Sequence, residues 1–237
     1  MLGEARSIYF STQLIHPPIN LEGSKDSIRA IYHELSKVKD CEYDNISFDG
    51  FPTSPPEFTR KIGTTTSRCR FYPDRILIEE NWADITSDSF AQKIREILDR
   101  GFRLLNLKLL IIQICSVRCL FTPRYSSDSR VFLAEKACGL QNKISPYFKR
   151  PSQMFGMRLL FPPLKGMTHS FDIRIESFNQ DTRQIFVETT GTFPLVQPIT
   201  PTNVDVALVN MSTAYGFCTN EIRNFLNQFD LAEGGIQ

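Results

Sequence analysis

The chain has 237 residues, of which 41% are hydrophobic and 22% are charged, and its formal net charge is +1. A chain of this size and composition buries a core that needs neither disulfides nor a metal, which excludes the small scaffolds that depend on them. The first ten residues, MLGEARSIYF, contain an early acid and no apolar stretch of secretory length, so we expect no signal peptide and a cytoplasmic location.

An opening strand and a helix are predicted within the first 40 residues. Ser7 to Ile15 is short and apolar and is followed by two prolines, as a strand would be. A helix then begins near Ser24, which we expect to cap it. The predicted buried stripe of this helix consists of Ile28, Ile31, Leu35 and Val38.

Three strands are predicted next. Tyr43 to Phe48 is a possible strand, and a proline-rich segment follows it. Thr59 to Tyr72 and Arg75 to Glu80 are predicted to form a hairpin, because Pro73 and Asp74 between them favour a turn.

A second helix closes this first unit. We expect Asp84 or Ser87 to cap it and Gly101 to end it. Its predicted buried face consists of Phe90, Ile94, Ile97 and Leu98.

The end of the predicted hairpin carries two adjacent glutamates and the only tryptophan. Glu79 and Glu80 point to opposite faces of a strand, so they cannot form a catalytic carboxylate pair. We expect solvent or the following helix N-terminus to stabilise both charges. Trp82 is expected to pack between the hairpin and the second helix.

The second unit repeats this order of elements. Leu104 to Phe121 predicts a buried strand, broken at most once, and Asp128 to Cys138 predicts a short helix that Gly139 ends. Three further strands are predicted over Met154 to Phe161, Phe171 to Phe178 and Arg183 to Thr190. In the middle one, apolar and charged residues alternate, which predicts one buried face and one solvated face.

A long helix is predicted near the C-terminal end, with Asn203 as its cap. Its apolar residues recur at steps of three and four and are Leu208, Met211, Tyr215, Cys218, Ile222, Phe225 and Phe229. We expect this stripe to lie across the sheet of its own fold, and self-association through it is the alternative.

Together these elements predict an α+β fold, a mostly antiparallel sheet with helices packed on one side. Residues 1–101 and 102–237 are predicted to be two related halves of one compact body, each with the order strand, helix, three strands, helix. Ligands often bind between duplicated units, so the seam between the halves is the leading candidate site.

Cysteine, histidine and glycine give no motif for a reaction or a cofactor. The six cysteines, Cys41, Cys69, Cys115, Cys119, Cys138 and Cys218, form no CxxC pair, so we expect reduced thiols that are small buried side chains. No glycine-rich loop matches a phosphate or dinucleotide site, so no cofactor and no metal are expected. His169 is the most interesting of three histidines because it lies at a predicted strand end, although a surface-loop role is the simpler expectation.

Phenylalanines beside prolines mark three loops, at Phe51 to Pro56, Phe161 to Pro163 and Phe193 to Pro201. Apolar loops of this kind can seal a pocket or a subunit interface.

Charge is unevenly distributed along the chain. Residues 100–166 hold 12 Lys and Arg but only Asp128 and Glu135 as acids, a net charge of +10, while the rest of the chain carries −9. Acidic residues of the same fold or of another subunit can balance the charge of such a basic band. Alternatively, the band contacts a nucleic-acid backbone or another anion. The predicted ligand- or anion-binding residues are Arg118, Arg124, Tyr147, Lys149, Arg150 and Arg158.

These observations favour a cytosolic, non-enzymatic binding protein whose ligand occupies the seam beneath a basic rim. The first alternative is a protein–protein or self-assembly module that uses the basic band of residues 100–166, and the second is a nucleic-acid-binding protein. We expect a small molecule or a protein as partner, no membrane, and a possible homo-oligomer. An enzyme with catalytic residues assembled from distant strands stays open.

Overall fold

The computed structural model describes residues 2–82, 85–141 and 143–232. In these residues the chain forms one antiparallel sheet of nine strands with a small number of helices, which confirms the predicted α+β class. No helix in the same ranges is long and apolar enough to cross a membrane.

The strands are β1 (Arg6–Ile15), β2 (Asn45–Ser47), β3 (Glu57–Ile62), β4 (Thr65–Phe71), β5 (Arg75–Asn81), β6 (Leu110–Phe121), β7 (Gly156–Phe161), β8 (Ser170–Ser177) and β9 (Ile185–Ile199). The helices are α1 (Lys25–Leu35), α2 (Ser87–Leu104), α3 (Ser129–Val131), α4 (Ser145–Phe148), α5 (Asp205–Gly216) and α6 (Arg223–Asn227). Two π-helical segments, Phe132–Ala137 and Phe217–Ile222, follow α3 and α5.

β1 and β6 are the paired strands that lie farthest apart in sequence, and they pair at the middle of the sheet. The strand order is β2-β3-β4-β5-β1-β6-β9-β8-β7, and every pair is antiparallel. Beside β1 the strands run backwards through the chain as β5, β4, β3, and beside β6 they run backwards as β9, β8, β7. The division into two related halves stays a prediction.

One face of the sheet is buried beneath the helices. In β8, Phe171, Ile173 and Ile175 are buried while the charged residues between them are not, as the alternation predicts. In β1, Phe10 stacks on Phe90 of α2 with ring centres 5.5 Å apart.

The opposite face, which we call the open face, is polar and half-exposed. It carries the side chains that alternate with the core, including Tyr9, Glu79, Arg118, Arg174 and Glu188.

Strand ends differ from the sequence prediction in three places. The single strand predicted over Thr59 to Tyr72 is wrong, because a turn with Gly63 at φ +58° divides it into β3 and β4. The strand predicted from Leu104 begins only at Leu110, since α2 continues to Leu104. The strand predicted to end at Thr190 continues to Ile199 as β9.

Helix ends differ because local hydrogen bonds compete with capping. The Ser24 hydroxyl donates to the carbonyl of Asn20, and the Asn203 amide oxygen accepts from the Thr200 N–H, so neither side chain caps a helix. Thr86 caps α2 by accepting from the Ser89 N–H. Asp84 lies outside the described residues.

Gly101 does not end α2 but lies inside it. A Cβ at this position would lie 3.3 Å from Leu107 and 3.6 Å from Ile76, so the glycine permits close packing of α2 on β5. Gly139, with φ +63°, does follow the short helical turn as predicted.

The long C-terminal helix is present but its hydrogen bonding changes midway. The run from α5 to α6 passes through the π-helical segment Phe217–Ile222. Its predicted stripe faces the sheet, since Met211 and Cys218 are buried and Tyr215 lies 5.9 Å from Phe10. The packing of this stripe across its own sheet is therefore confirmed.

Glu79 and Glu80 do point to opposite faces, but the expectation that solvent or the helix N-terminus stabilises both charges is wrong for Glu80. Glu80 is buried and pairs with Lys93 of α2, whereas Glu79 lies on the open face. Trp82 is predicted to pack between the hairpin and α2, but its ring contact is with Phe178, the residue after β8, with ring centres 6.5 Å apart. Five of the six free cysteines are buried as expected, and Cys138 is exposed.

Replacement of Gly191 in β9 tests the packing of the buried face. Gly191→Ala is expected to destabilise the protein by about 1–3 kcal/mol, because the added Cβ would lie 2.7 Å from the Phe193 ring and 3.0 Å from the Phe171 ring. Urea denaturation followed by tryptophan fluorescence measures the free energy of unfolding.

Gly216→Ala is the matched control. Its Cβ would meet only Asn220, at 3.7 Å, so α5 should gain about 0.5–1 kcal/mol from the better helix former. A Gly191→Ala variant as stable as the wild type would contradict the described packing around β9.

Candidate functional sites

The predicted seam corresponds to the pairing of β1 with β6. On the open face, the Arg118 guanidinium of β6 lies 4.2 Å from the centre of the Tyr9 ring of β1. A cavity of about 280 Å³ lies here, lined by Tyr9, Thr66, Arg68, Glu79, Asn81 and Arg118. The cavity borders the β1–β6 pairing: Arg118 of β6 forms one wall, and its other lining residues belong to β1, β4 and β5.

Strand register places residues from eight strands in one row across the open face. The row is Lys61, Thr66, Asn81, Tyr9, Arg118, Glu188, Arg174 and Arg158. Adjacent strands are about 4.8 Å apart, so the backbones of Arg118 and Arg158 are roughly 14 Å apart despite their separation in sequence. The structure thus brings two of the predicted anion-binding residues onto one surface.

The arginines of this row are already paired with acids. Arg118 lies 2.5 Å from Glu188, and Arg174 contacts the other oxygen of the same carboxylate at 3.3 Å. Arg158 pairs with Asp172, and its guanidinium holds the pKa of Asp172 below its usual range. An anionic ligand at the seam would compete with these carboxylates.

Tyr9 stays a hydrogen-bond donor at the centre of the row. Burial raises its pKa to about 12, and the 2.8 Å hydrogen bond that its hydroxyl donates to Glu79 acts in the same direction. Arg70 contacts the same Glu79 carboxylate at 3.0 Å. The seam cavity is therefore a polar site of paired charges, not an apolar pocket.

Of the other four predicted anion-binding residues, Tyr147 lies in the short helix α4 and the rest lie on loops. Tyr147 is 84% exposed at the end of α4, and Lys149 and Arg150 follow it, also exposed. Arg124 follows β6, where its guanidinium lies 5.6 Å from the ring of Tyr125. The cavity that Arg118 lines contains none of these four residues among its described lining.

A larger and mostly apolar cavity lies between the β7–β8 connection and the end of α5. Its volume is about 480 Å³. The lining residues are Phe161, Pro162, Leu164, Met167, His169, Phe171, Thr213, Gly216, Phe217 and Glu221. We call this space the apolar cavity.

Stacked aromatic rings form the base of the apolar cavity. Phe171 of β8 stacks on Phe217 with ring centres 4.0 Å apart, and Phe161 meets Phe217 edge-on at 5.8 Å. The His169 ring lies 5.3 Å from both Phe171 and Phe193. These contacts hold the wall in place before any ligand binds.

The helical wall of the apolar cavity contains the start of a π-helical segment. Phe217 begins this segment and Glu221 lies within it, while Gly216 ends α5. Single π-helical turns within α-helices are frequent at functional sites, because the wider turn changes which side chains face one direction. Thr213 and Glu221 add polar groups to an otherwise apolar wall.

Sequence reasoning identified part of this wall and missed the rest. The sequence predicts that the phenylalanine–proline loop at Phe161 to Pro163 seals a pocket or a subunit interface, and it makes His169 the histidine of most interest. No sequence signal predicts that Gly216 and Glu221 line this cavity. An apolar stripe at α-helical spacing does not reveal where the backbone hydrogen bonds change from the α-helical to the π-helical pattern.

No protein-family model matches the chain, and no curated protein matches it.

The ion pair at the β7 end of the row can be tested by titration. Arg158→Gln should raise the pKa of Asp172 towards the ordinary aspartate value of about 3.9, because it removes the guanidinium that stabilises the carboxylate. A ¹³C NMR titration of the side-chain carboxyls measures this shift.

Arg183→Gln serves as the control, since Arg183 pairs with Asp181 instead. It should raise the pKa of Asp181 and leave that of Asp172 unchanged. An Asp172 pKa that does not respond to Arg158→Gln would contradict the cross-strand pairing.

Proposed function

We propose that this chain is a non-enzymatic binding protein that holds a small, largely apolar molecule in the apolar cavity. The observation that carries this proposal is a cavity of about 480 Å³ with aromatic walls and few polar groups. This volume falls in the range of small-molecule sites, roughly 300–1,000 Å³, and such sites combine apolar walls with a few convergent polar groups.

Two exposed apolar side chains of the apolar cavity, which together we call its lip, support the proposal. Leu164 is 68% exposed and Met167 is 52% exposed, so both present apolar surface that a ligand would cover. Methionine adapts its shape to different apolar ligands, because it is unbranched and has several rotatable bonds.

The polar groups of the wall define the ligand further. Glu221 offers a carboxylate acceptor. The Thr213 hydroxyl donates its proton to the Val209 carbonyl, so the Thr213 hydroxyl oxygen is left as an acceptor. A ligand with an aromatic or aliphatic body and an amine or hydroxyl at one end would match both groups.

N-phenyl-1-naphthylamine, a neutral apolar amine whose fluorescence rises in apolar surroundings, is a suitable probe. We expect saturable binding to the wild type and at least about a tenfold weaker affinity for Leu164→Asp, because a charge at the lip would have to be desolvated. The probe should also raise the thermal unfolding temperature of the wild type.

Val196→Asp is the matched control, because Val196 is an equally apolar, exposed residue outside the cavity. It should bind the probe like the wild type. Equal affinity in all three proteins, or no saturable binding to the wild type, would refute the proposed site.

A second candidate function is anion binding at the seam, as the sequence predicts. The row that contains Arg118, Arg174 and Arg158 favours it, since three guanidinium groups share the open face with a cavity of about 280 Å³. In this case the ligand carries a phosphate or carboxylate group that displaces Glu188 from Arg118.

Glu188→Gln should increase the affinity for inorganic phosphate about tenfold, because it removes the carboxylate that holds Arg118 and leaves Arg174 with Glu176 alone, and Arg118→Gln should weaken it. Isothermal titration at low and high salt measures both affinities.

If single-stranded oligonucleotide binds instead, with affinity that falls steeply with salt and depends on Lys149 and Arg150, the nucleic-acid alternative replaces phosphate binding. Identical phosphate affinity in both variants would reject the seam site.

A further inference from the structure

A buried ion pair joins α2 to the sheet in the first half of the chain. The Lys93 ammonium lies 2.5 Å from Oε1 of Glu80 in β5 and donates to the Ser67 hydroxyl of β4 at 3.1 Å. The side chains of Lys93 and Glu80 are only 5% and 3% exposed. Ser67 donates its own proton to the same Glu80 oxygen at 2.6 Å.

Every donor position of Lys93 faces a partner. Two N–H groups face Glu80 and Ser67, and the ammonium also lies 5.1 Å from the centre of the Tyr43 ring. Lys93 therefore has no donor left for a ligand.

The pair forms part of a cavity wall and is not enclosed by apolar packing. The cavity has a volume of about 420 Å³ and lies beside the start of α2. It is lined by Asp40, Arg60, Ile62, Thr65, Ser67, Glu80, Ile85, Thr86, Ser89 and Lys93. Lysine and glutamate are seldom buried, because the loss of hydration is costly, and their presence in a cavity wall marks a candidate binding site.

Two polar groups of this wall have hydrogen-bonding capacity to spare. The hydrogen bonds that the described residues donate to Glu80 all reach Oε1, so Oε2 is available as an acceptor. Ser89 accepts from the Thr86 hydroxyl at 3.1 Å, and its own proton is available as a donor. The wall thus offers one acceptor and one donor, flanked by Ile62 and Ile85.

The charges of the wall favour a neutral ligand. Both cations of the wall are already paired with a carboxylate, Lys93 with Glu80 at 2.5 Å and Arg60 with Glu42 at 2.9 Å. An anion would approach the Glu80 carboxylate, and a cation would compete with Lys93 for it, so both are disfavoured.

We propose that this cavity is a second binding site, which takes a small neutral molecule with a hydrogen-bond donor beside an acceptor, as in a primary or cyclic amide. The amide N–H donates to Oε2 of Glu80, and the amide carbonyl accepts from the Ser89 hydroxyl. The site is independent of the apolar cavity, because the two cavities share no lining residue.

Benzamide is the probe, and N,N-dimethylbenzamide is the matched molecule that lacks the N–H donors. In ¹H–¹⁵N NMR titrations of the full chain, benzamide should shift the amide signals of Ser67 and Ser89 in a saturable way. The dimethyl analogue should bind at least about tenfold more weakly, because it has no N–H to donate to Oε2 of Glu80. Equal binding of both molecules, tighter binding of benzoate or benzylamine, or no saturable shift would overturn the proposal.

Variants of the first turn of α2 complete the test. Removal of Glu80 would leave Lys93 buried without its partner and would risk unfolding, so the exposed Ser89 is the better target. Ser89→Ala should weaken benzamide binding about tenfold, while Ser87→Ala, in the same turn but outside the cavity, should not. Unchanged affinity in Ser89→Ala would refute the assigned donor, provided that circular dichroism shows a folded variant.

Leu164→Asp separates this site from the apolar cavity. It should leave benzamide binding unchanged, because Leu164 lines only the other cavity. Loss of benzamide binding in this variant would assign the amide to the apolar cavity and overturn the second site, whereas failure of the naphthylamine probe alone would affect only the proposed function.

Discussion

The antiparallel pairing of β1 with β6 is the interaction on which the rest of the structure depends. It joins the five strands that end at β1 to the four strands that begin at β6, and Phe10 on its buried face contacts both α2 and α5 through Phe90 and Tyr215. Gln113 of β6 donates to the Thr12 hydroxyl of β1 and to a backbone carbonyl of α5. Because the helices cover this face, the charged side chains of Glu79, Arg118 and Glu188 on strands β5, β6 and β9 lie together on the other.

The ion pairs of the open face and the two proposed binding cavities lie at different places in this arrangement. At the seam, Arg118 and Glu188 neutralise each other, so the centre of the open face is polar but largely satisfied. The two larger cavities lie away from it, one beside Lys93 at the start of α2 and the other beside Phe217 at the end of α5. Helix ends bound both cavities, since a helix that ends above a sheet leaves part of the sheet uncovered.

Periodicity predicted most of the fold, because burial on one face imposes an alternation on strands such as β8 and a stripe on helices. It failed where a local contact decides the outcome: Gly101 marks close packing and not a helix end, and Gly63 divides one predicted strand into two. The paired charges of Lys93 and Glu80 were missed because a lysine on a helix and a glutamate on a strand give no sign that they meet. Arg118 was identified from charge, but its carboxylate partner depends on register.

The most direct test of the account is a crystal structure of the chain grown with N-phenyl-1-naphthylamine. We expect density for the molecule between Leu164 and the Phe217 ring, with its amine directed towards Glu221. Density for the probe on the open face beside Tyr9, or a cavity that stays empty at saturating probe, would contradict the claim that this chain binds small apolar molecules at the end of α5.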